Sequence, residues 1–223
     1  TIGDPKDDTP PEIQTQCKAY FSSHTNSQYP PFIGSEALRI EISGWLRRHH
    51  QVKLDPNSQL ISCNGTKEAI FSFPLLFDWS QGNHILIPSL SYPVYKMSAA
   101  YFGVPFEILP LNSNHQFLPD LERISKQTLE NTQLFWINSP HNPTTTIASK
   151  DYLIQLVQLA EKYNFLLCSD ECYNDLYMEN QPASVLDIDS ENWVCFRSLS
   201  KRSHMTGYRS GAIMSKNKKI MAN

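Results

Sequence analysis

The residues best suited to chemistry in this sequence lie between positions 198 and 211, in the run SLSKRSHMTGYRSG. The amine of Lys201 can form a Schiff base with an aldehyde. The Ser198 hydroxyl and the planar guanidinium of Arg209 can both donate hydrogen bonds to a phosphate. Because pyridoxal phosphate carries an aldehyde and a phosphate, this run predicts a site for that cofactor. Ser-x-x-Lys also occurs by chance and in serine acyl-enzymes, so the prediction depends on residues upstream.

Two upstream motifs follow runs of apolar residues that we predict to be buried strands. Asn64-Gly65-Thr66-Lys67-Glu68 opens a helix, where a glycine and exposed amides favour a bound phosphate. In Asp170-Glu171-Cys172-Tyr173, a carboxylate can keep a pyridine nitrogen protonated and a phenol can donate to a phenolate oxygen. Taken singly, each motif also fits an ordinary turn or helix cap.

Two further motifs stand at strand ends. Asn142, in the proline-rich run NSPHNPT, can donate its amide to the same phenolate oxygen. Tyr92, in PSLSYP, can lay its ring on a cofactor face, although core packing is the more usual role of a tyrosine. The order of the motifs along the chain, each at a predicted strand exit, is what favours a single site.

The pattern of apolar residues predicts an α/β fold, a mostly parallel sheet sandwiched by helices. Buried strands are predicted at 60–63, 84–88, 106–109, 134–138, 165–169 and 193–197. Helices are predicted at 12–21, from an N-cap at Ser35 through a basic last turn at 47–50, and at 66–77, 92–102 and 149–163. Ligands of such sheets bind at the carboxyl ends of the strands, where the motifs lie.

Composition excludes several classes of function. The 223 residues are 40% hydrophobic and 18% charged, and the net charge of −3 does not favour nucleic acid or an anionic membrane as a partner. No apolar run reaches the roughly 18 residues of a membrane span. The cysteine count is odd, and Cys168 and Cys172 lack the second ligand pair that a zinc site needs, so we expect a reducing, cytoplasmic location and no metal.

Taken together, the motifs resemble the class I/II aminotransferases of the fold-type I pyridoxal phosphate family over nearly the whole chain. The resemblance implies that Lys201 forms the Schiff base and then moves a proton, as base and acid in turn. It further implies that Asp170 pairs with the pyridine nitrogen, that Asn142 and Tyr173 bind the phenolate oxygen, and that Tyr92 stacks on the ring. The phosphate ligands implied are Gly65, Thr66, Ser198, Arg209 and the backbone amide of Lys67.

The same resemblance implies a homodimer with shared sites. Tyr29, in QYPPFIG, matches a tyrosine that reaches the phosphate of the neighbouring subunit, and Gly3 matches a glycine whose backbone approaches the substrate carboxylate. We expect an N-terminal arm at residues 1–34 and a large cofactor-binding domain at 35–223, incomplete because a C-terminal small domain is absent from this chain. The arginine that binds the substrate carboxylate is expected beyond residue 223, which implies a fragment that can be inactive.

Within the family, the run SLSKRS with the upstream DECY resembles the succinyldiaminopimelate aminotransferases of lysine and diaminopimelate synthesis. That likeness implies amino transfer between glutamate/2-oxoglutarate and N-succinyl-2-amino-6-oxopimelate. The alternatives are an aspartate- or aromatic-type aminotransferase, a β-lyase or decarboxylase, and a cofactor-binding domain of a transcription factor. One departure from the family is Thr145, which stands where glycine usually follows Asn-Pro-Thr, so we expect that the loop cannot easily take a positive φ there.

Overall fold

The structure, a computed structural model, describes residues 3–222 except the side chains of residues 24 and 25. Seven strands and eight α-helices are present in that range, several of them joined by short 3-10 turns. The strands are β1 Leu60–Cys63, β2 His84–Pro88, β3 Phe106–Leu109, β4 Thr132–Asn138, β5 Leu166–Asp170, β6 Trp193–Ser198 and β7 Gly211–Met214. The helices are α1 Pro11–Phe21, α2 Glu36–His49, α3 Thr66–Ser72, α4 Pro93–Tyr101, α5 Lys126–Glu130, α6 Lys150–Tyr163, α7 Leu199–Arg202 and α8 Lys218–Met221.

The strands form one sheet in the order β1-β7-β6-β5-β4-β2-β3. All neighbouring pairs are parallel except those of β7, which runs antiparallel to both β1 and β6. Successive side chains of a strand point to opposite faces, so β4 sends Phe135 into one core and Trp136 into the other. The first core is covered by α2 and α6 and the second by α3 and α4. The predicted α/β sandwich is confirmed.

Most predicted elements are present with small shifts at their ends. Ser35 caps α2 as expected, because its hydroxyl accepts a hydrogen bond from the Leu38 amide at 3.3 Å. The predicted helix at 66–77 was wrong in one respect, since the α-helix ends at Ser72 and a 3-10 turn over Phe73–Leu76 replaces its end. Pro74 lies in that turn, and its ring removes a backbone donor that a continuing α-helix would use. Strand β7 and helices α5, α7 and α8 were not predicted.

The parallel strands bring their loops to the same edge of the sheet. Gly65 lies just beyond β1, Tyr92 just before α4, and Asn142 beyond the end of β4. Asp170 ends β5, and Lys201 lies in α7 directly after β6. The chain start also reaches this edge, because the Thr9 hydroxyl donates to the carbonyl of His204 at 2.5 Å.

Candidate active site

The amine of Lys201 lies against the start of the chain. Its Nζ donates a hydrogen bond to the backbone carbonyl of Gly3 and lies 3.9 Å from an oxygen of Asp4. A Cβ built at Gly3 would lie 3.8 Å from the Tyr173 hydroxyl oxygen. The structure therefore brings Gly3, Lys201 and Tyr173 together, although they are far apart in sequence.

Asp170 is a buried carboxylate at the centre of the site, 5% exposed. The Tyr95 hydroxyl donates to its Oδ2 at 2.6 Å, and the Cys172 amide donates to its Oδ1 at 3.2 Å. Burial raises the pKa of Asp170, and the hydrogen bonds from Cys172 and Tyr95 oppose that rise. Within residues 3–222, no basic side chain lies within ion-pair distance of Asp170. A bound cationic ring nitrogen would supply the missing partner.

The side chains of Asn142 and Tyr173, which are both expected to bind the phenolate oxygen of the cofactor, are hydrogen-bonded to each other. The Asn142 amide donates to the Tyr173 hydroxyl at 3.4 Å, and burial followed by the charge of Asp170 raises the pKa of Tyr173. Asn138, which the sequence analysis did not single out, supports both neighbours. Its Oδ1 accepts from the Asn142 backbone amide at 2.8 Å, and its Nδ2 donates to the Asp170 carbonyl at 2.8 Å.

The loop that carries Asn142 is held by His141, a second residue that sequence reasoning missed. Its ring nitrogens lie 2.7 Å from the Thr144 hydroxyl and 2.9 Å from the Leu90 carbonyl, and burial lowers its pKa. The expectation that Thr145 keeps the loop from a positive φ was wrong, because Thr145 has φ 62°. Its amide donates to the His141 carbonyl at 2.7 Å, so the fold imposes this backbone on a β-branched residue.

Gly65 and Arg209 face each other across the sheet edge. Gly65 has φ 85°, and a Cβ there would lie 2.1 Å from Nη2 of Arg209. The strand register places the two residues close together, because Gly211 of β7 pairs with Cys63 of β1 on one side and with Ser198 of β6 on the other. The glycine turn, the serine and the arginine thus form one cradle suited to an anion.

Thr66 lies beside this cradle. Its backbone nitrogen would lie 3.2 Å from a Cβ at Gly211, and its hydroxyl lies 3.1 Å from the sulfur of Cys172. The hydroxyl of Ser198 accepts a hydrogen bond from the Ser200 amide at 3.1 Å and so caps α7. The side chain of Lys67 is exposed, and its backbone amide is the group expected to bind the phosphate.

The two remaining predicted residues differ in how they are placed. Tyr92 is half-buried, and its ring meets that of Tyr95 edge-on, with centroids 5.9 Å apart and planes at 81°. Burial, followed by the charges of Asp170 and Cys172, raises the pKa of Tyr92. Tyr29 is fully exposed on the segment between α1 and α2, so within residues 3–222 of this one chain nothing covers it.

A buried ionic network beneath the site was also missed. Glu171 accepts hydrogen bonds from the Ser184 hydroxyl at 2.6 Å and the Val185 amide at 2.9 Å, and pairs with Arg197 at 2.8 Å. Arg197 also pairs with Asp175 at 3.2 Å. Since Glu171 follows Asp170 and Arg197 precedes Ser198, the network ties two site loops together. A glutamate directly after one buried strand and an arginine inside another were the signal that could have revealed it.

The residues present fit pyridoxal phosphate. The primary amine, the anion cradle and the buried carboxylate without a cation match the aldehyde, the phosphate and the ring nitrogen of that cofactor. In the described part of the chain, no group of three or more histidine, cysteine or acidic side chains is arranged to bind a metal ion. The helices of residues 3–222 include none with the length and apolar character of a membrane span.

Comparison with known proteins identifies relatives over the whole chain. Residues 1–223 match the family described as aminotransferase class I and II. The LL-diaminopimelate aminotransferase of Aquifex aeolicus is 35% identical over 224 aligned residues, which cover 99% of this chain and 57% of the relative. The LL-diaminopimelate aminotransferase 2 of a Nostoc species is 36% identical, over 94% of this chain and 55% of the relative. The chain thus spans little more than half the length of these curated relatives.

Solved structures agree with the sequence relatives. Aminotransferase AspB from Helicobacter pylori superposes with a TM-score of 0.90 at 33% identity, over 99% of this chain and 59% of that one. Substrate-bound BacF from Bacillus subtilis superposes with a TM-score of 0.92 at 26% identity, over 99% of this chain and 56% of that one. The family is a pyridoxal phosphate-dependent one, in keeping with the groups at the sheet edge. By its sequence and its fold, this chain belongs to the class I and II aminotransferases.

Proposed function

We propose that this protein is a pyridoxal phosphate-dependent aminotransferase that acts on a substrate of the diaminopimelate class, with glutamate/2-oxoglutarate as the amino-group partner. One observation carries the proposal. A primary amine, a buried carboxylate without a cation, an amide-phenol pair and an arginine-glycine cradle meet at one edge of the sheet. No single turn or helix cap accounts for that combination.

The proposed roles follow from the chemistry of each group. Pyridoxal phosphate, when bound, supplies a ring that accepts charge from the substrate α-carbon. Lys201 binds the aldehyde and then carries the proton as base and acid, while Asp170 keeps the ring nitrogen protonated. Asn142 and Tyr173 bind the phenolate oxygen, and Tyr92 packs on the ring. Binding of the phosphate is assigned to Gly65, Thr66, the Lys67 amide, Ser198 and Arg209.

The proposed substrate rests on sequence likeness. The relatives from Aquifex and Nostoc are named for LL-diaminopimelate, which supports a substrate of this class. N-succinyl-2-amino-6-oxopimelate, favoured by the run around Lys201, is the finer proposal within that class. An aspartate-type substrate is the second candidate, because the AspB structure matches at 33% identity.

We further propose a cytoplasmic homodimer in which Tyr29 reaches the phosphate of the neighbouring subunit. The full exposure of Tyr29 supports this role, since an aromatic ring that does not pack against its own chain is available to contact a partner subunit. Gly3 is proposed to approach the substrate carboxylate, and its contact with Lys201 supports that role. The division into an arm at 1–34 and a large domain from 35 onward stays a prediction.

The first test is cofactor attachment. Addition of pyridoxal phosphate to the purified protein should produce a long-wavelength absorbance band, and borohydride should fix the cofactor onto Lys201 in a peptide map. Lys201→Ala should abolish the attachment, whereas Lys126→Ala, which removes an exposed lysine paired with Glu130, should leave it intact. Attachment at another lysine, or at none, would refute the proposed site.

The second test is the choice of substrate. Each amino acid is mixed separately with the cofactor-loaded protein, and loss of the absorbance band reports the first half of amino transfer. LL-diaminopimelate or its N-succinyl derivative should react faster than aspartate or phenylalanine. Faster reaction with aspartate would favour the second candidate, and release of ammonia or carbon dioxide would indicate a lyase or a decarboxylase.

A further inference from the structure

The phenol of Tyr95 makes a buried hydrogen bond that the proposed function does not use. Tyr95 lies in α4 and is 1% exposed, and its hydroxyl lies 2.6 Å from Oδ2 of Asp170 at the end of β5. The backbone amide of Cys172 donates to Oδ1 at 3.2 Å, and a hydrogen bond from the Cys172 side chain also lowers the pKa of this carboxyl group. A hydrogen bond to a buried charge is stronger than one between neutral groups.

The position of the hydroxyl is fixed by ring packing. The Tyr95 ring stacks on Trp136 with centroids 4.7 Å apart and planes at 4°, and it meets the Tyr92 ring edge-on. Burial and the nearby charge of Asp170 raise the pKa of Tyr95 well above its usual range. The phenol therefore stays protonated and can only donate to the carboxylate.

Asp170 needs such a donor. A buried carboxylate without a cation favours its neutral form, and a neutral carboxyl group cannot stabilise a cationic ring nitrogen. Each hydrogen bond donated to the carboxylate stabilises the ionised form. The Tyr95 hydroxyl donates to Oδ2 and the Cys172 amide to Oδ1, which leaves part of the hydrogen-bonding capacity of the carboxylate for a further donor.

We propose that Tyr95 is a positioning residue, which holds Asp170 ionised and oriented toward the ring nitrogen of the bound cofactor. The inference rests on the proposed function, in which Asp170 pairs with that nitrogen. Tyr95 does not itself contact the cofactor in this role. Its ring packing would persist without the hydroxyl, so the two contributions can be separated.

The experiment compares the binding of two cofactors by variants that each lack one tyrosine hydroxyl. Tyr95→Phe removes the hydroxyl and keeps the ring on Trp136. Tyr152→Phe is the control, because the Tyr152 hydroxyl also makes a hydrogen bond that is partly buried, to the Pro119 carbonyl at 2.8 Å. Dissociation constants are measured by absorbance titration for pyridoxal phosphate and for 1-deazapyridoxal phosphate, which lacks the ring nitrogen.

Tyr95→Phe should weaken binding of pyridoxal phosphate about tenfold or more, as expected for loss of a hydrogen bond to a charged group. Binding of the deaza analogue should change less than about twofold, because no nitrogen is left for Asp170 to pair with. Tyr152→Phe should alter neither constant. Incorporation of 3-fluorotyrosine at position 95, which keeps both ring and hydroxyl, should restore the preference for pyridoxal phosphate.

Several results would overturn the inference. An equal loss of affinity for both cofactors would assign Tyr95 a purely structural role, as would an unchanged preference in Tyr95→Phe. Failure of 3-fluorotyrosine to restore the preference would contradict the role of the hydroxyl. If the wild-type protein binds both cofactors equally, the proposed pairing of Asp170 with the ring nitrogen fails first, and the inference falls with it.

Discussion

Substitution of Glu171 by glutamine should destabilise the protein strongly, although it changes a single atom. One carboxylate oxygen of Glu171 accepts from the Ser169 hydroxyl at 3.0 Å and from the Val185 amide at 2.9 Å. The other accepts from the Ser184 hydroxyl at 2.6 Å and pairs with Arg197 at 2.8 Å. A glutamine amide nitrogen placed on either side therefore faces a group that can only donate.

The size of the expected loss of stability follows from the burial of both members of the ion pair. The side chains of Glu171 and Arg197 are 1% and 7% exposed, so solvent cannot replace the lost partner. Breaking a buried ion pair costs about 3–5 kcal/mol. Because Arg197 keeps Asp175 at 3.2 Å, we expect the lower end, about 3 kcal/mol. For a chain of this length, that loss lowers the melting temperature by about 6–12 °C.

The assay is urea unfolding followed by circular dichroism, with thermal melting as a second measure. Glu130→Gln is the matched control, because it removes an exposed carboxylate that pairs with Lys126 at 3.3 Å. That change should cost less than about 0.5 kcal/mol. The reasoning about the buried network would be refuted if Glu171→Gln cost no more than Glu130→Gln.

Three further predictions concern the site. Gly65→Ala should displace the Arg209 guanidinium, since the new Cβ would lie 2.1 Å from Nη2, and should weaken pyridoxal phosphate binding about tenfold. The control is Gly82→Ala, because Gly82 has φ 77° but a Cβ there would have no atom within 4 Å. This variant should carry the same backbone strain and keep its affinity for pyridoxal phosphate in the same titration. Thr145→Gly should raise the free energy of unfolding in urea by up to about 1 kcal/mol. The reason is that relief of the strain of a left-handed backbone, about 1–2 kcal/mol, exceeds the entropic cost of glycine. A clear loss of stability would contradict this prediction. Asp170→Asn should stabilise the cofactor-free protein at neutral pH while weakening cofactor binding. Burial raises the pKa of Asp170 in the folded protein above its ordinary value of 3.8. The stability that this carboxyl group contributes is therefore fully present below pH 3.8 and is lost as the pH rises through its pKa in the folded protein. The difference in unfolding midpoint between the two proteins should grow over that window, and a constant difference would disprove the role of ionisation.

Much of the site could be predicted from the sequence because its loops follow local signals. Apolar runs identify the strands, and parallel strands send their following loops to the same edge of a sheet. That rule places Gly65, Tyr92, Asn142, Asp170 and Lys201 at one edge without any knowledge of contacts. The residue types then predict the chemistry, since an amine, a carboxylate and a phenol have few common uses in combination.

The supporting contacts could not be predicted, because they depend on which strands are neighbours. Strand Gly211–Met214 is four residues long and starts with glycine, so no periodicity marks it. Its antiparallel register nevertheless decides that Arg209 meets Gly65. Likewise, Tyr95 in an apolar helix predicts core packing, and only the fold shows its hydroxyl on Asp170.

The sequence by itself thus determined six of the seven strands, the order of the loops along the chain and the groups that could bind pyridoxal phosphate, since these follow from patterns within short segments. Tertiary structure alone decided how Asp170 is buried and hydrogen-bonded, how Glu171 and Arg197 join two loops, and how Thr145 is held at φ 62°. Each of these features depends on contacts between residues of different elements. Local preference is too weak to specify such contacts, and packing of the whole chain overrides it.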